Sequence, residues 1–138
     1  MIFVWYLKKT LYVYVRVRNR SCVTYNTNDG QLSLYWAITG GPSTMANWDG
    51  TYPALGNLIG SQPLGYISDG NEKIYVFQWN VENIFSPWNT KCLLARIENV
   101  VGDPLPYFAP DSHVAAHVKE SNNIAMYNCL FIFNATPD

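Results

Sequence analysis

Residues 11–18 read LYVYVRVR, and this octapeptide decides the fold. Leu11, Val13, Val15 and Val17 alternate with Tyr12, Tyr14, Arg16 and Arg18. A strict period of two is the pattern of a strand with one face turned to a core. On a helix the same residues would mix valine and arginine on every side. β-branched and aromatic side chains also favour a pleated, half-buried surface. The polar face carries arginines two apart, Arg16 and Arg18, continued by Arg20. On the outer face of a sheet they would stack on tyrosine or pair with a cross-strand acid. An anion-binding stripe and a contact with a neighbouring domain are the other two readings. The chain as a whole is not basic: 9 Lys and Arg against 10 Asp and Glu leave a formal charge of −1. No global field draws it to nucleic acid or to an anionic membrane, and neither is expected as a partner.

Further strands follow outward from this one. QLSLYWAI (31–38) alternates again, with Leu32, Leu34, Trp36 and Ile38 on one side. IFVWYL (2–7), IYVFQW (74–79), KCLLARIE (91–98) and AMYNCLFIF (125–133) are apolar and β-prone, and shorter strands are expected near 57–60 and 64–67. Loops lie between them: 19–30 closing on Asp29-Gly30, the Gly- and Pro-rich 39–72, 80–90 with Pro87 and Trp88, and 99–124 with Pro104, Pro106 and Pro110. The last loop has room for one or two helical turns after an N-cap at Asp111 or Ser112. About seven short strands with turn-rich joins and almost no helix point to an all-β antiparallel sandwich with two long loops. No repeat or linker divides residues 1–138, so one domain is expected.

Composition agrees. Apolar residues make up 49% of the chain, which disfavours disorder, whereas charged residues are only 14%. Tyr, Asn, Ser and Thr supply the polar surface, a mix common in secreted β proteins. No apolar run reaches the roughly 18 residues of a membrane-spanning helix. The opening MIFVWYLKKT places its lysines after the apolar run and has no small-residue cleavage site, so it reads as a strand rather than a signal peptide. Cys92 and Cys129 sit in apolar strands and Cys22 in a polar loop, which permits at most one internal disulfide.

Catalytic patterns are weak. His113 and His117 in HVAAH stand four apart, but Val114 occupies the place where a metalloprotease helix carries its glutamate. There is no Gly-x-Ser-x-Gly elbow, and a cysteine in an apolar strand is a poor thiolate. SDGNE (68–72) lacks calcium-loop spacing and reads as a hairpin turn. No enzyme activity, metal or cofactor is expected.

The order YVYVRVRNRS, LYWA, a WDG loop, FQW, CLLARI followed by DP, and NNIAMYN resembles an immunoglobulin-like module of bacterial exported and surface proteins, close to the cell-adhesion-related domains, over residues 11–133. Thr90-Lys91-Cys92 departs from the usual lead into LLARI, and the apolar opening departs from the usual polar first strand. The resemblance implies an Ig-like sandwich in which 11–18 is strand B and Trp36, on strand C, packs on its valines. It also implies a non-catalytic structural, adhesion or protein-interaction module, extracellular or at the cell surface, whose partners are other domains or proteins. The loops after strand C and between E and F would then share one end of the sandwich. Their aromatics Trp48, Tyr52, Phe85 and Trp88 form the alternative site, a platform for glycan rings. Tyr25, Tyr107 and Phe108 fall at the other end.

Two expectations concern packing. Val13, Val15, Val17, Leu34, Trp36, Phe77 and Trp79 should be buried, with alternate residues of 92–98. Segment 2–7 has no polar face at all, so it should be covered on both sides, either within its own chain or by self-association.

Overall fold

The computed structural model describes residues 2–7, 10–22, 30–38, 44–52, 55–80, 91–100, 113–114, 118 and 121–129. These residues are mostly β. The strands are β1 (Ile2–Leu7), β2 (Thr10–Arg18), β3 (Gln31–Ile38), β4 (Gly56–Pro63), β5 (Glu72–Asn80), β6 (Lys91–Glu98) and β7 (Ile124–Cys129). They form two antiparallel sheets, a three-stranded one in the order β1-β2-β5 and a four-stranded one in the order β4-β3-β6-β7. The all-β sandwich read from the sequence is the fold. Among the described residues no helix is long and apolar enough to cross a membrane.

The alternation of 11–18 becomes burial: Leu11, Val13 and Val15 are buried and Tyr12, Tyr14 and Arg16 half-buried. β5 alternates as cleanly, with Tyr75, Phe77 and Trp79 inward. These residues meet Leu32, Leu34, Trp36, Leu93 and Ala95 of the other sheet in the main core. Trp36 stacks on Trp79, with ring centroids 6.3 Å apart. The expected core is present, except that Val17 is only half-buried, near the end of β2.

Three strand expectations change. The strand near 57–60 extends over Gly56–Pro63, and 64–67 forms no strand, only a single bridge at Ile67. In β6 burial does not alternate: Lys91, Cys92, Leu93, Leu94 and Ala95 are all buried. The cause is a second apolar layer on the far side of the four-stranded sheet, where Ala37, Cys92, Leu94 and Ile124 are covered by Met45, Trp48 and Val114. The two covering segments are joined by a backbone bridge between Thr44 and His113. Gly56 permits the Met45–Asn47 turn to pack closely, since a Cβ there would lie 2.1 Å from the Asn47 carbonyl oxygen and 2.5 Å from that of Trp36.

Register sets the ends. Ile38 lies opposite Lys91 and Thr10 opposite Asn80, so the connections 39–55 and 81–90 leave from one end. Arg18 opposite Glu72 and Gln31 opposite Glu98 mark the other. There Asn19 ties β2 to the turn before β5: its backbone N–H donates to Asn71 (2.9 Å), its carbonyl accepts from Gly70 (3.0 Å), and its side-chain amide donates to the Ile67 carbonyl (3.1 Å). Gly70, with φ of 74°, takes the left-handed turn conformation this requires.

Candidate functional site

Of the four loop aromatics singled out in the sequence, Trp48 is buried (1% exposed) against Leu94 and Val114. It is a core side chain and offers no platform; it covers the sheet. Tyr52 is exposed (53%). Phe85 and Trp88 lie outside the described residues, as do Tyr25, Tyr107, Phe108 and His117. His113 is exposed, with its backbone committed to Thr44. Cys22 is an exposed free thiol, and Cys92 is buried.

The arginine line resolves by position. Arg16 meets Glu72 across the strands at 3.6 Å, on a diagonal, because its direct partner is Ile74. This is the cross-strand acid anticipated above. Arg18 and Arg20 are exposed, and neither has an ion pair among the described residues.

The register of β1 settles a point that its composition leaves open. Val4 and Tyr6 stand opposite Val13 and Leu11, the inward positions of β2. Phe3 and Trp5 stand opposite Tyr14 and Tyr12, the outward positions. Tyr14 in turn stands opposite Val76, and Tyr12 opposite Gln78. The register line Phe3–Tyr14–Val76 therefore crosses all three strands, with Tyr14 and Val76 at outward positions of β2 and β5. Beside it, Ile74 and Val76 are exposed at 52% and 44%. Isolated exposed apolar residues are ordinary, whereas a contiguous set on one sheet face is the mark of a contact surface. The charged Arg16–Glu72 pair borders this set. β1 is an edge strand, and its pairing with β2 is within the chain. The opposite edge of the same sheet is tied down, because the Gln62 amide of β4 donates to the Val76 carbonyl of β5.

On the other sheet's outer side, Tyr35, Arg96 and Glu98 form a half-buried cluster. The Tyr35 hydroxyl donates to Glu98 Oε1 at 3.3 Å, Arg96 lies 3.8 Å from Glu98, and its guanidinium sits 6.0 Å from the Tyr35 ring centre. Burial, then the Glu98 charge, raises the Tyr35 pKa, so the phenol stays neutral and donates. Tyr35 and Arg96 both turn to Glu98, which links β3 to β6, while Arg96 Nε is buried with no hydrogen-bond partner among the described residues. Sequence reasoning passed over this cluster because its members come from two strands with no local spacing. It also missed Lys91, whose side chain is buried at the inner end of β6 and whose pKa burial lowers. Among the described residues no group of three or more His, Cys, Asp or Glu is placed to hold a metal ion.

Comparison of the chain with protein-family models, with curated proteins and with solved structures finds no match.

Proposed function

We propose that the chain is a non-catalytic interaction module of an exported bacterial protein, Ig-like in its sandwich, and that the outer face of β1-β2-β5 is its contact surface for protein. The observation that carries this reading is the exposed pair Ile74 and Val76 beside Tyr14 on the outer face of β2 and β5. Burying such a face in a protein contact removes apolar area from water, while the bordering Arg16 and Glu72 set orientation more than affinity. The partner is a neighbouring domain or a second copy of the chain, with the edge strand at residues 2–7 as part of the contact. The extracellular or cell-surface setting rests on the sequence resemblance to cell-adhesion-related modules.

Sedimentation equilibrium of the full chain tests the self-contact form. Concentration-dependent association that disappears in Ile74→Lys/Val76→Lys, with an unchanged thermal midpoint, supports it. A full chain that stays monomeric at high concentration rules that form out. The glycan reading now rests on Tyr52 alone among the described residues. Glycan-array binding lost in Tyr52→Ala would favour it over the protein-contact reading.

A further inference from the structure

Between the far end of β2 and the start of β7 the sandwich opens into a cavity of about 620 Å³. It lies where β2 runs past the cover of β1, whose pairing reaches only to Val15. Its floor is the edge of the main core, including Leu32, Leu64, Ala95 and Ile97. Among the described residues its rim is polar, with charges of one sign. Arg16, Arg18 and Arg20 border it together with Asn122 and Asn123, and no Asp or Glu is among its described lining residues. Arg16 is engaged by Glu72, which leaves Arg18 and Arg20 as the rim cations with no ion pair among the described residues. The rim backbone is pre-set, because Asn19, between these two arginines, is bonded to Ile67, Gly70 and Asn71.

We propose that this cavity binds a small amphipathic carboxylate, its apolar body on the Leu32–Ile97 floor and its carboxylate on Arg18 and Arg20. The volume falls within the roughly 300–1,000 Å³ of pockets that enclose small ligands, and an apolar lining with a few convergent polar groups is their usual make-up. The head group follows from charge. Three arginines against one acid, Glu72, which stands opposite Arg18 and pairs with Arg16, leave an excess of positive charge that favours an anion, and the planar guanidinium fork matches a carboxylate in a bidentate pair. A neutral head leaves those donors to water, and a cationic head meets like charge. The site meets the proposed contact face at Arg16, but neither Ile74 nor Val76 lines it.

Calorimetric titration of the full chain with octanoate, octyl alcohol and octyltrimethylammonium tests the assignment. Octanoate is expected to bind with one-to-one stoichiometry. The alcohol should bind about tenfold or more weaker, the difference a charge-assisted contact makes. Arg18→Gln/Arg20→Gln should reduce octanoate affinity to that of the alcohol and leave alcohol binding unchanged. Both positions are exposed, so the variant keeps the fold, which circular dichroism checks. Absence of octanoate binding, equal affinity for the ammonium compound, or an unchanged octanoate affinity in the double variant overturns the proposal. Sedimentation of the same variant keeps the two readings apart, because self-association through Ile74 and Val76 should be unaffected.

Discussion

Replacing Trp36 by alanine removes one of the two tryptophans that the sheets share in the main core. The ring is 5% exposed and stacks on Trp79 at 6.3 Å, so the loss has two parts. Truncating a buried Trp to Ala costs about 3–5 kcal/mol through lost transfer energy and the cavity left behind. The stacked pair accounts for up to about 1 kcal/mol of favourable ring geometry within that range. Against a typical domain stability of about 5–15 kcal/mol, the variant keeps its fold only narrowly. With a urea m-value of about 2 kcal/mol per molar, a loss of about 4 kcal/mol moves the unfolding midpoint down by about 2 M. Equilibrium urea unfolding followed by far-ultraviolet circular dichroism measures this. Ile74→Ala, at a site 52% exposed, is the matched control and should stay within about 0.5 kcal/mol of the parent. A Trp36→Ala loss below about 1 kcal/mol, or one equal to that of the control, would refute the assignment of Trp36 to the shared interior.

Leu94→Ala should cost about 2–5 kcal/mol although Leu94 is on the far side of its sheet from the main core, because Trp48 and Val114 enclose it; a near-neutral urea midpoint would mean the second layer is absent. For Lys91 the folded pKa is lowered from 10.5, so between that lowered value and 10.5 the unfolded state holds more protons and stability rises with pH. The stability of the parent relative to Lys91→Met should therefore climb as pH approaches 10.5 and level off above it, and a flat or falling difference in paired urea titrations would contradict the burial. Arg16 and Glu72 are both more than a third exposed, so a double-mutant cycle should give a coupling of no more than about 1 kcal/mol that shrinks in added salt; a larger, salt-insensitive coupling would show the pair to be shielded.

What the sequence determined by itself is local and periodic. LYVYVRVR commits its valines inward because a strand turns every second side chain to the same side, and this holds whatever it packs against. QLSLYWAI and IYVFQW set the inward Leu34, Trp36, Phe77 and Trp79 for the same reason. KCLLA carried a readable sign of its second layer, since a run without alternation is what a strand buried on both faces shows. Alternate burial over 92–98, the one-sided expectation, leaves Leu94 without a cover, and the run itself does not name one. Tertiary structure alone decided that cover. Trp48 and Val114 are 66 positions apart in the chain and meet only because the Thr44–His113 bridge brings their segments over one sheet. Hence a tryptophan in a polar loop looked like a binding platform and is a core residue. Segment IFVWYL is the opposite case, because with apolar side chains at every position its pattern holds no inside or outside. Only pairing with the alternating partner β2 assigns Val4 and Tyr6 to the inward positions and Phe3 and Trp5 to the outward ones, because directly opposed residues of an antiparallel pair share a face.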